Sequence, residues 1–147
     1  MRAVVQRVSE ARVVVAGEVV GQIGAGLCVL LGVARGDEVA DAERLAGRVG
    51  RLRIFENENG KFDRSLLDTG GAALVVSEFT LIADSKRQKG NRPDFSNAAP
   101  AAEAEPIYEA FCVAVAALGV PVVTGVFGAR MRVEVVNDGP VTIVVDV

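Results

Sequence analysis

Three short segments carry residue types that could do chemistry. Ser77-Glu78-Phe79-Thr80 closes an apolar stretch with two hydroxyls and a carboxylate. In one reading it is an ordinary strand end with polar side chains at the surface. In the other it floors a pocket whose backbone N–H groups face a carbonyl oxygen as that oxygen gains charge. Thr80 is a nucleophile only if a neighbour takes its proton, and the chain contains no histidine. That absence removes the Ser-His-Asp and Cys-His mechanisms and the commonest metal ligand. Hydrolysis here has to rely on carboxylates, lysine, hydroxyls, backbone amides or the substrate itself. The second segment, Asn137-Asp138-Gly139-Pro140-Val141-Thr142, reads first as a hairpin turn, because its residues are turn formers. Pro140 would forfeit a ladder hydrogen bond inside a paired strand, so it marks an edge or a bend. The third is the loop Lys89 to Ser96, together with the basic patch it shares with the residues just before it. It places Lys86, Arg87, Lys89 and Arg92 within seven residues and adds Phe95. These cations and the ring could hold phosphates and stack a base. Alternatively, the stretch is a solvated loop with Phe95 turned into the core.

The elements that must position these segments follow from periodicity. Met1 to Val8 and Ala11 to Ala16 read as strands, and Glu18 to Ile23 reads as the hairpin partner of the latter across Gly17. Leu27 to Val33 is a continuous apolar run, as in a buried central strand. A helix follows with Asp37 as N-cap, apolar positions at Ala42, Leu45, Ala46, Val49 and Leu52, and Arg44, Arg48 and Arg51 toward its end. Residues 56–71 read as a loop, 72–82 as an apolar strand, and 84–100 as a long polar connection of the kind that carries function. A second helix spans about 101 to 118, with Ile107, Ala110, Phe111, Ala114 and Leu118 as its apolar face. Gly119 and Pro121 stop it. Strands at 122–127, 131–136 and 141–147 complete the chain. The expectation is an α+β fold: a mostly antiparallel β-sheet, barrel-like or sandwiched, with two flanking helices.

Bulk composition sets bounds. A chain of 147 residues is one ordinary domain. Half its residues are hydrophobic and 24% are charged, as in soluble globular proteins. No apolar run reaches the ~18 residues of a membrane span, and the charged N-terminal stretch is no signal peptide, so the cytoplasm is the default location. The net charge of −3 argues against a generic nucleic-acid binder, although a local patch such as that at 86–92 can override the total. Cys28 and Cys112 lie among apolar neighbours, read as buried inert thiols, and are too far apart for a zinc site. No metal and no cofactor is expected.

Taken together, these segments resemble the D-aminoacyl-tRNA deacylase family. Its Ser-Gln-Phe-Thr motif is matched by Ser77-Glu78-Phe79-Thr80 with one change, and its Asn-x-Gly-Pro-x-Thr motif is matched by Asn137, Gly139, Pro140 and Thr142. Gln6-Arg7-Val8, Leu30-Leu31-Gly32-Val33 and Arg92-Pro93-Asp94-Phe95-Ser96 are similar to the family as well, so the resemblance spans the chain. The resemblance implies a hydrolase that splits D-aminoacyl-tRNA, and glycyl-tRNA as well because glycine has no side chain to clash. It implies a homodimer with active sites at the interface, and a cis Gly139–Pro140 pair inserted into the neighbouring subunit. There the pair would hold the α-amino group and block an L-side chain. Catalytic roles fall to Ser77, Phe79 and Thr80, mainly through backbone N–H groups and a ribose hydroxyl of the substrate. Gln6, Arg7, Glu78, Phe95 and Asn137 would support or bind substrate, Phe95 by stacking the terminal adenine. Arg87, Lys89 and Arg92 would contact tRNA phosphates. Glu78 departs from the family's glutamine, adding a charge and losing an amide donor.

Overall fold

The computed structural model describes residues 1–147, except for the side chain of Gln88. In chain order its elements are β1 (Arg2–Val15), β2 (Glu18–Ile23), β3 (Gly26–Gly32), α1 (Val39–Gly50), β4 (Phe55–Glu56), β5 (Phe62–Arg64), α2 (Leu66–Thr69), β6 (Ala72–Ser77), a 3₁₀ turn (Phe79–Ile82), β7 (Asp84–Lys89), β8 (Arg92–Asp94), α3 (Ala101–Ala117), β9 (Val122–Thr124) and β10 (Arg132–Asp146). The main sheet runs β10-β1-β3-β6-β9, with β2 paired to the far half of β1. The pairings of β1 with β10, β2 and β3 are antiparallel, whereas β3–β6 and β6–β9 are parallel.

The apolar runs in β3 and β6 are continuous because both faces of these strands are buried. Leu27, Val29, Leu31, Ala73 and Val75 join one core with Leu45, Val49 and Phe111 of the helices. Cys28, Leu74 and Val76 point the other way, into a second core with Val8, Val13 and Ile23. The sheet curls around that second core until β2 meets β9. A Cβ on Gly21 would stand 2.7 Å from Val123 Cγ1 and 2.8 Å from the Thr124 carbonyl, so only glycine permits this approach. The result is an α+β fold with a nearly closed, barrel-like sheet, helices on one face and an additional short helix, α2.

Several elements differ from the sequence expectation. The strands expected at 1–8 and 11–16 are one continuous β1, bulged near Arg7 and Ser9. Glu38, not Asp37, caps α1, exchanging hydrogen bonds with Asp41. Asp37 instead accepts from the Ala34 N–H at 2.7 Å and pairs with the Met1 ammonium at 2.7 Å. The expected loop at 56–71 contains the β4–β5 hairpin and α2, and the polar stretch after 84 contains the β7–β8 hairpin. In α3 the fully buried positions are Ala104, Tyr108, Phe111 and Val115. The face expected from Ile107, Ala110, Ala114 and Leu118 is only partly buried. The strand expected to run to Ile82 stops at Ser77, because β3, its ladder partner, ends at Gly32. The 3₁₀ turn then folds over Gly32, where a Cβ would lie 3.0 Å from Ile82 Cδ1 and 3.1 Å from the Glu78 carbonyl.

The largest correction concerns the C-terminal strands. Residues 131–136 and 141–147 do not form a hairpin across Asn137–Pro140. They belong to one strand, β10, running antiparallel to β1. The register steps from Gln6↔Thr142 to Val8↔Asn137, so Asp138–Val141 bulge out opposite the single residue Arg7.

Candidate active site

The corner where β6 enters the 3₁₀ turn opens onto a cleft of about 520 Å³. Ser77, Glu78 and Phe79 form one wall, while Tyr108, Phe127 and Met131 stand among the apolar residues of the others. Ser77 still lies in register with Leu31, and the Glu78 N–H donates to the Leu31 carbonyl at 2.8 Å. The chain then turns, and Leu81 N–H donates back to the Glu78 carbonyl at 3.3 Å. Phe79 and Thr80 occupy the start of the turn, where main-chain N–H groups have no partner within the helix. Thr80 does not line the cleft, and its hydroxyl donates to the Glu78 carboxylate. The glutamate that replaces glutamine is therefore engaged within the corner itself.

The second motif is held in a different manner. The Asn137 side chain closes the bulge on itself: Nδ2 donates to the Val141 carbonyl and to Thr142 Oγ1, each at 3.2 Å, and Oδ1 accepts from the Val141 N–H at 2.7 Å. Gln6 Nε2 reaches Thr142 Oγ1 at 3.3 Å. Arg7 is buried, and its Nε donates to the Asp138 carbonyl at 2.8 Å while Nη1 donates to the Ile54 carbonyl at 2.9 Å. Glu56 faces the same guanidinium at 3.6 Å. A buried guanidinium needs such partners, because an unpaired one would be costly. The Gly139–Pro140 peptide is cis. Gly139 has φ +149°, and a Cβ there would stand 2.7 Å from Val141 Cγ2 and 2.8 Å from Val141 N, so the position requires glycine. Gly139 and Pro140 are exposed and do not line the cleft of their own chain.

The cations of the third segment are spread over the β7–β8 hairpin. Arg87, Lys89 and Arg92 are exposed, with Asp84 3.6 Å from Arg87. Phe95, half-buried, packs edge-to-face on the exposed Phe79 ring at 5.2 Å and ties the hairpin to the cleft wall. The fold thus gathers Ser77, Glu78, Phe79 and Phe95 on one side, and Gln6, Arg7, Asn137, Gly139 and Pro140 around the bulge.

Sequence reasoning passed over Tyr108, Phe127 and Met131. Tyr108 lines the cleft with its ring, 5.7 Å from that of Phe127, and anchors its hydroxyl on the Val75 carbonyl at 2.8 Å. Burial raises its pKa, so it stays a neutral donor. The usable signal was spacing: the chain's sole tyrosine stands four residues after Ala104 and three before Phe111. Burial pushes the thiols of Cys28 and Cys112 up to about 11, which keeps them protonated and poor nucleophiles at neutral pH. Cys28 is fully buried and Cys112 partly so.

Comparison with known proteins gives the family and the fold. The family model described as D-Tyr-tRNA(Tyr) deacylase matches residues 4–146. A D-aminoacyl-tRNA deacylase of Ruegeria pomeroyi is 60% identical over 100% of both chains. One from Chloroflexus aurantiacus is 58% identical over 99% of this chain and 90% of its own. Among solved structures, a c-Myc DNA Unwinding Element Binding Protein superposes with TM-score 0.91 at 41% identity, covering 100% of this chain and 99% of the other. A probable eukaryotic D-amino acid tRNA deacylase shares the fold, with TM-score 0.82 at 19% identity over 99% and 98% of the two chains. With its two motifs in place on this fold, the chain belongs to the D-Tyr-tRNA(Tyr) deacylase family and is a hydrolase of the D-aminoacyl-tRNA deacylase type.

Proposed function

We propose that the Ser77–Phe79 cleft takes the aminoacyl ester of D-aminoacyl-tRNA and that Gly139–Pro140 of a second copy closes it. One observation carries this reading: the bulge is fixed by Arg7 and Asn137, yet Gly139 and Pro140 are exposed and do not line their own cleft. A segment held so firmly and left exposed suits insertion elsewhere, which makes the working unit a homodimer. The bulge carbonyls accept from the substrate's α-ammonium. The side chain of an L-amino acid then collides with main chain, while that of a D-amino acid points outward. Rejection by overlap needs no polar contact to the side chain, so many D-amino acids fit. Glycine has nothing to collide, so glycyl-tRNA is hydrolysed too.

With no histidine in the chain, the ribose hydroxyl beside the ester activates water or orients the carbonyl. Main-chain N–H groups of Phe79 and Thr80 receive the oxyanion, and Ser77 borders the reacting carbonyl. Position and electrostatics are the protein's contribution. Phe95 stacks the terminal adenine beside Phe79, and Arg87, Lys89 and Arg92 lie along the phosphates. No metal or cofactor takes part, and the reaction runs in the cytoplasm, where aminoacyl-tRNA is found.

The test is a paired hydrolysis assay with D-, L- and glycyl-tRNA, together with the mass of the protein in solution. Turnover of the D- and glycyl esters by a dimer, with the L-ester spared, is the expected result. Equal cleavage of both enantiomers, or full activity of a monomer, refutes the proposal. The hydrogen bond from Thr80 to Glu78 favours one rival, in which Thr80 attacks and Glu78 takes its proton. Complete loss of activity in a folded Thr80→Ala protein would establish that rival.

A further inference from the structure

Arg7 is not held by the bulge alone. Its guanidinium lies 5.5 Å from the centre of the Phe62 ring and 3.6 Å from Glu56, and it donates to Ile54 at the entrance to the same hairpin. Glu56 and Phe62 are themselves paired across β4 and β5. Arg53 braces this hairpin by donating to the Asp63 carbonyl at 2.8 Å and to its carboxylate. At the hairpin tip, Asn57 Oδ1 accepts from the N–H groups of Asn59 and Lys61 at 2.9 and 3.1 Å. Phe62 and Glu56 are both about half exposed, whereas the Arg7 side chain is 8% exposed. A large aromatic ring left at the surface has no core to fill. Its contact here is with the face of a cation that on its other side grips Asp138.

We infer that the β4–β5 hairpin sets enantiomer selectivity: Phe62 and Glu56 are positioning residues that fix Arg7 and, through it, the Gly139–Pro140 bulge. This rests on the wall reading proposed above. A ring face and a carboxylate restrict the guanidinium to one plane. That plane aims Nε at the Asp138 carbonyl. Loosening it lets the bulge shift, and a misplaced wall admits the L-ester before it impairs the D-ester. The hairpin touches neither ester nor ribose in this arrangement, so its influence is on the ratio of kcat/KM values for the two enantiomers.

The experiment compares Phe62→Leu, Phe62→Tyr and Glu56→Gln with the parent, each on D- and L-aminoacyl-tRNA, with thermal melts alongside. Phe62→Leu keeps an apolar cover but loses the ring face, and an exposed cation–π contact predicts a fall in the D/L ratio of about threefold or more. Phe62→Tyr should keep the parent ratio, and Glu56→Gln should lower it. In an Arg7→Lys background Phe62→Leu should add nothing further, because the two act as one unit. The inference is overturned by parent-like ratios in both Phe62→Leu and Glu56→Gln, or by an undiminished Phe62 effect once Arg7 is replaced. A Gly139→Ala control separates the two claims. If Gly139→Ala leaves selectivity intact, the wall reading is wrong; if it alone alters selectivity, only the hairpin's role is.

Discussion

The corner at Ser77–Ile82 and the bulge at Asp138–Val141 are both departures from a β-ladder, but they are stabilised in opposite ways. At the corner the strand stops where its partner stops, and the chain turns over Gly32 beside the cleft. Its side-chain bonds are few: Thr80 donates to Glu78 within the corner, and Arg2 Nη1 donates to the Leu81 carbonyl at 3.3 Å. The bulge stays within a strand that keeps its partner on both sides. It is fixed by buried Arg7 and by an asparagine that occupies both ends of its amide. On the function proposed above, the first region offers backbone to a reacting group. The second presents a shape that cannot easily move. A site that relies on geometry more than on strong acids or nucleophiles needs both, and this pair fits a chain without histidine.

The sharpest way to test the comparison is to leave the protein intact and change the substrate. If the corner supplies only backbone, replacing the terminal 2′-hydroxyl by hydrogen should slow hydrolysis by about 10²-fold or more, the scale of a lost general acid–base group. Single-turnover assays on deoxy-terminated tRNA check this, and an unchanged rate would return the chemistry to the protein. Next in size is Arg7→Ala. It strands the Asp138 and Ile54 carbonyls and opens a buried space, so a loss of about 2–4 kcal/mol is expected in denaturant melts. Selectivity should fall with it. Asn137→Ala removes three bonds from a partly exposed position. It should cost about 1–2 kcal/mol and lower the D/L ratio less than Arg7→Ala does. The reverse order would mean that the bulge is held mainly from within.

How legible each region was follows from where its determinants lie. The buried strands and α1 were readable because Leu27–Leu31 and the Ala42-Leu45-Ala46-Val49 spacing carry their own burial pattern. The buried face of α3 was not, since apolar and alanine residues surround most of that helix and give periodicity little contrast. Asn137-Asp138-Gly139-Pro140 misled because turn chemistry is local, whereas the continuity of β10 is imposed by the long-range pairing with β1. Residues 78–82 read as strand, because nothing within them announces that β3 has ended. The partners of Arg7 come from residues 54, 56, 62 and 138, a grouping no local window contains.

The smallest effect concerns the frame that carries the bulge. At one end of the β1–β10 ladder Arg2 donates to both carboxylate oxygens of Asp146, at 2.9 and 3.1 Å, and this bond lowers the Asp146 pKa below the usual carboxylate value. A carboxylate whose folded pKa is depressed adds stability above its unfolded pKa, near ~3.9. That stability is lost as the pH falls through the folded value. Both side chains are partly exposed, so the pair contributes on the order of 0–1 kcal/mol. Asp146→Asn should therefore lower Tm slightly at pH 7, and the gap from the parent should shrink as the pH falls below the unfolded value and close once it passes the lowered folded one. The D/L ratio should not change, because Arg7 and Asn137 hold the bulge independently of the ladder's end. A selectivity change in Asp146→Asn matching that of Asn137→Ala would mean that the whole strand, and not the bulge's own bonds, fixes the position of Gly139 and Pro140.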